Sequence, residues 1–131
     1  MQRKILRAAA LGAAVLSTLA TNALADIADY EFQLVEPSLK QGAATLVVKV
    51  VHKASGRAVP DAVIFARRLD MGPEKMEAMT ADLEPLPSDV PGHYLFKADL
   101  SMAGQWALSL AAKVQGETGT LQSKLIVKAT P

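Results

Sequence analysis

His93-Tyr94-Leu95-Phe96-Lys97-Ala98-Asp99-Leu100-Ser101-Met102-Ala103-Gly104-Gln105-Trp106-Ala107-Leu108-Ser109-Leu110-Ala111-Ala112 is the stretch on which the fold turns. Tyr94, Phe96, Ala98 and Leu100 recur at every second position, with His93, Lys97 and Asp99 between them. Side chains of an extended chain alternate between two faces, so this pattern predicts a half-buried strand with a wet outer side. Ala103-Gly104 interrupts the run, and Trp106, Leu108, Leu110 and Ala112 resume it at the same period. Two such runs on either side of a glycine-containing turn predict two successive strands. Trp106 is the natural core plug.

The same period recurs on both sides. Tyr30, Phe32 and Leu34 alternate with Glu31 and Gln33 until Pro37. Leu46, Val48 and Val50 alternate with Thr45, Val47 and Lys49, and Lys53-Ala54-Ser55-Gly56-Arg57 reads as a turn. Ala62, Ile64 and Ala66 alternate with Val63 and Phe65 and stop at Arg67-Arg68. Met79, Ala81 and Leu83 form a shorter run before the Pro85–Gly92 turn, and Leu121, Leu125 and Val127 follow the glycines at 116 and 119. About seven short strands in about a hundred residues predict an all-β chain, an immunoglobulin-like antiparallel β-sandwich. No repeat or second domain is visible.

The N-terminus reads as a signal peptide over residues 1–25. Arg3, Lys4 and Arg7 precede an apolar run from Ala8 to about Leu19, and Ala23-Leu24-Ala25 supplies the small-x-small cleavage pattern. The sandwich then occupies residues 26–131. An uncleaved anchor over Ala8–Ala25 is the competing reading. Cleavage removes three of the 14 basic residues and leaves 11 against 13 acidic ones, a net charge of −2. That balance is not a nucleic-acid footprint, so the expected chain is exported, binds no nucleic acid and does not span the membrane after cleavage.

Asp70-Met71-Gly72-Pro73-Glu74-Lys75-Met76-Glu77-Ala78-Met79 carries three of the five methionines, and the chain has no cysteine. Thioethers are soft donors that suit Cu(I) and survive where a free thiol oxidises. Six acidic residues from Asp70 to Asp89 face the single cation Lys75, which would gather cations. The competing reading is core filling, since methionine packs readily. It suits Met102, which continues the phase of Leu100, and it suits Met79. Met71 and Met76, in a Gly-Pro turn, are the expected primary ligands. Met79 is the expected third, and His93 or Met102 a fourth. No nucleophile elbow, paired-histidine zinc motif or phosphate-cradling glycine loop is present, so no enzyme is expected.

Gly56-x-x-Val59-Pro60-x-Ala62, Asp70-Met71 with Met76 and Met79, Pro91-Gly92-His93-Tyr94, and Ser101-Met102-Ala103-Gly104-Gln105-Trp106 occur in that order. In this arrangement the chain resembles the FixH-like/YtkA-like group of small exported sandwich domains. The resemblance implies a periplasmic domain found with heavy-metal or copper efflux or with oxidase-maturation machinery. It departs from FixH proper in lacking a retained membrane helix. The expected function is a periplasmic accessory protein that binds or hands over copper through its methionine loop. The alternative is a metal-free interaction sandwich that docks on an envelope pump or oxidase-assembly complex.

Overall fold

The computed structural model describes residues 26–131; the expected signal peptide, 1–25, lies outside the described residues. Nine strands form two packed sheets: β1 (Tyr30–Leu34), β2 (Ser38–Lys40), β3 (Gly42–His52), β4 (Val63–Met71), β5 (Met76–Ala81), β6 (Glu84–Leu86), β7 (His93–Leu100), β8 (Gly104–Lys113) and β9 (Leu121–Thr130). One sheet runs β1-β3-β7-β6 and the other β2-β9-β8-β4-β5. All pairings are antiparallel except β2 with β9. This is the expected immunoglobulin-like sandwich.

The seven expected strands are all present, and β2 and β6 are the additions. Each is three residues long on a sheet margin, too short to show alternation. β6 contains Pro85, which an edge strand tolerates because one side of its backbone has no ladder to feed. β2 arises where the first strand leaves its sheet at Pro37, whose carbonyl accepts from Lys128 N–H at 2.7 Å. The N-terminal segment therefore pairs first with β3 and then with β9.

The core is the set of inward phases. Phe32, Leu46, Val48, Val50, Phe96, Ala98 and Leu100 from one sheet meet Leu69, Met71, Trp106, Leu108, Leu110, Ala112 and Val127 from the other. Trp106 is wholly buried, as its phase predicts, and its indole N–H donates to the Met102 carbonyl at 3.1 Å. Tyr94 ties the β3–β4 connection to β7. Its hydroxyl donates to the Val59 carbonyl at 2.6 Å and accepts from Ala62 N–H at 2.9 Å. Gly92 lies so close to Ala58 that a Cβ there would collide with the alanine side chain, so this crossing needs glycine.

β4 does not end at Arg67-Arg68. It runs on through Leu69, Asp70 and Met71, because Leu69 and Met71 keep the inward phase. Arg67 pairs with inward-facing Leu110, yet it sits where the sandwich is open, and its Nε reaches the Leu83 carbonyl at 3.1 Å.

Candidate interaction surface

Met71 closes β4, a 3₁₀ turn follows at Gly72–Glu74, and Met76 opens β5. The expected loop is thus largely a strand–turn–strand unit. Pro73 supplies a fixed φ for the turn and Lys75 adopts the left-handed conformation, with φ 63°. The turn is pinned twice. Asp70 accepts from Gly72 N–H at 2.7 Å and from Arg68 Nε at 2.8 Å, and Glu74 accepts from Gln105 N–H at 2.8 Å. Burial pushes the Asp70 carboxyl up, but the Gly72 N–H and the Arg68 guanidinium outweigh it and hold the group below its ordinary value.

The five expected ligands do not share one environment. Met71 is fully buried in the core. Met79 is half-buried and packs against the core, while Met76 is exposed. Met102 is exposed as well, because the chain bends at Ser101–Ala103 instead of carrying the β7 phase onward. His93 begins β7 and Met102 follows its far end. Nearly the whole length of the eight-residue strand separates them, roughly 25 Å at about 3.3 Å per residue.

The copper expectation is therefore corrected. The chain has no cysteine, and among the described residues no group of three or more His, Asp or Glu is placed to hold a metal. Met71, the first expected ligand, spends its thioether on core packing, where dispersion contacts hold it. Reading Arg67-Arg68 as a strand end hid this, since it placed Met71 outside the inward phase.

The outer face of the five-stranded sheet has a different character. The β4–β8–β9 register puts Val63, Ala66, Arg68 and Asp70 in one row, Gln105, Ala107, Ser109, Ala111 and Lys113 in the next, and Gln122, Lys124, Ile126 and Lys128 in the third. Small side chains floor this face and long ones wall it, leaving an open hollow of about 490 Å³ over Ala66, Ser109 and Ala111, flanked by Arg68, Gln122 and Lys124. Of the 13 acidic residues in the chain, only Asp70 stands on these rows, and it is engaged by Arg68 and Gly72. Arg68, Lys113, Lys124 and Lys128 make the face cationic on a domain whose expected net charge is negative. No motif marks this surface; its sequence signal was the small residues alternating with Leu108 and Leu110.

The fold and this face define a small sandwich module with no metal cluster among the described residues. The chain belongs to the YtkA-like family, whose model matches residues 24–111, the span through most of β8. A comparison with curated proteins finds no match. Among solved structures it is similar to the Lin-41 filamin domain, at 13% identity and TM-score 0.44, covering 84% of this chain and all of that one. It is also similar to the ZirS C-terminal domain, at 12% identity and TM-score 0.46, covering 95% of this chain and 87% of that one. Among the described residues no helix is long and apolar enough to cross a membrane.

Proposed function

We propose that this chain is an exported, non-catalytic accessory module that docks on an acidic protein surface through the outer face of its five-stranded sheet. The observation that carries the reading is the charge segregation on the β4, β8 and β9 rows of that face, where Arg68 and Lys124 flank an alanine-floored hollow, Lys113 and Lys128 stand on the same rows, and the one carboxylate of those rows is internally paired. A flat cationic sheet with small side chains admits close approach, and opposite charge steers encounter and fixes register. Membership of the YtkA-like family supports a general accessory role. The partner class we propose is an envelope metal-efflux or oxidase-assembly protein, and the site of action the periplasm, after removal of residues 1–25. Met76 and Met102, both exposed, stand at the end of the sheet where β4 finishes and β8 begins. We assign them as adaptable rim contacts.

Site-specific photocrosslinking in the envelope tests this. A crosslinker at Ser109 or Gln122 should capture one defined protein with an acidic contact surface, in a salt-sensitive manner, and Lys124→Glu with Lys128→Glu should abolish capture. The same probe at Thr45 or Lys97, on the outer face of the opposite sheet, should capture nothing. Equal capture from both faces, or binding to protein-free vesicles of anionic lipid in place of a protein, would overturn the reading.

A further inference from the structure

β4 is covered by β8 along nearly its whole length, from Val63 to Asp70, but on its other side β5 pairs only with Leu69, Asp70 and Met71. β5 stops at Ala81, opposite Leu69, and the chain then crosses to the other sheet as β6. The strand lane that β5 vacates is an open hollow of about 560 Å³ lined by Phe65–Leu69 and Thr80–Leu83. Among the described residues, no backbone group of Val63–Arg68 has a hydrogen-bond partner beyond the β4–β8 ladder. Val63 and Phe65 beside it are 60% and 54% exposed.

An edge of this kind is normally guarded by bulges and charges. A bulge between Ile64 and Ala66 and the pair Arg67-Arg68 are both present. Their arrangement nevertheless favours one occupant. The segment reads Asp61-Ala62-Val63-Ile64-Phe65-Ala66-Arg67-Arg68, acidic at its start and basic at its end with apolar residues between. Laid antiparallel on a second copy, it puts Asp61 of each chain against Arg68 of the other, Ala62 against Arg67, and Val63 against Ala66. In a regular strand this odd register would set inward against outward residues. The bulge shifts the phase by one, so Val63 and Ala66 both stand on the outer face, as their pairing with Lys113 and Ala111 shows. Parallel pairing would instead stack arginine on arginine.

We infer that the Val63–Arg68 edge of β4 is a homodimerisation edge, joining two copies about a two-fold axis near Ile64 and Phe65 into one continuous sheet. A closed isologous contact of this type consumes the edge and leaves no further strand exposed there. It is independent of the docking reading above, and it would set two cationic faces side by side.

Sedimentation equilibrium of the chain recovered after export, up to millimolar concentration, reads the assembly directly. The expected result is a monomer–dimer equilibrium. Phe65→Lys, which sets like charges next to the axis, should weaken it by about tenfold or more, and Asp61→Arg should weaken it likewise. The double variant Asp61→Arg/Arg68→Asp should recover dimer, with thermal melts showing each variant folded. A wild-type chain that stays monomeric over the whole range would overturn the inference. So would a dimer indifferent to Phe65→Lys, or charge variants that fail to rescue one another.

Discussion

Met71 and Met76 are partners in register across the β4–β5 hairpin, yet Met71 is fully buried and Met76 is 38% exposed. The register shifts between Asp70 and Met71, so the two strands part at the turn and only one thioether enters the core. Two residues that look equivalent in sequence thus serve different ends, one the stability of the core and the other the surface.

Their truncations should separate accordingly. Met71→Ala leaves a cavity beneath a packed sheet and is expected to cost about 2–5 kcal/mol. Met76→Ala should stay within about 0.5 kcal/mol. Urea unfolding followed by the far-ultraviolet signal measures both, and equal costs would contradict the placement.

Gly104 holds φ at +133°, and a Cβ there would lie 3.0 Å from Met71 Cε and 3.1 Å from a Glu74 carboxylate oxygen. Gly116 holds φ at +84° with open space around it. Gly104→Ala therefore combines backbone strain with displacement of two anchored side chains, an expected loss of about 2–3 kcal/mol. Gly116→Ala carries the strain alone, about 1 kcal/mol. The difference between the two melting temperatures is the measurement.

Tyr94→Phe removes the hydroxyl that serves both the Val59 carbonyl and the Ala62 N–H. Leaving those groups unpaired should cost about 1–3 kcal/mol. Burial raises the Tyr94 pKa, and the hydrogen bond to Glu117, at 2.8 Å, chiefly raises that of Tyr30. A raised pKa in the fold means stability that is complete below the unfolded value near 10 and lost as pH climbs through the folded one. The chain should accordingly weaken above about pH 10, and Tyr30→Phe with Tyr94→Phe should flatten that alkaline limb in a pH series of melts.

Asp70 has the opposite sign. Its folded pKa is lowered, so its contribution is present above the unfolded value near 3.9 and fades as pH falls through the folded value. Asp70→Asn should cost about 1–2 kcal/mol at neutral pH, a figure discounted because the Arg68 side chain is 55% exposed. The variant should also show less acid dependence below about pH 4 than the parent. Parallel acid titrations of both proteins check it.

β7 and β8, which lie in opposite sheets, were legible because their inward residues are large and recur at every second position, so Tyr94, Phe96, Leu100 and Trp106 announced both strands and core. β4 was half legible. Two consecutive arginines masked its last turn of alternation, and an arginine in the inward phase is tolerated only because the sandwich is open beside Arg67. Met102 was misplaced by phase extrapolation, since strand period says nothing about where a chain bends. Of the outer face only the small residues alternating with Leu108 and Leu110 were legible, and its charge was not. Lys113, Lys124 and Lys128 are scattered in sequence, and only the β8–β9 register puts them on one face.

The parallel pairing of β2 with β9 has a consequence for the order in which the molecule can be completed. Ser38, Leu39 and Lys40 find their partners in Lys128, Ala129 and Thr130, at the opposite end of the chain. A polypeptide delivered N-terminus first has β2 waiting, unpaired, until Lys128–Thr130 arrive. Removing Lys128–Thr130 therefore unfastens β2 as well as the end of β9, and a ribosome or transport pore still holding those residues holds the margin of the second sheet open.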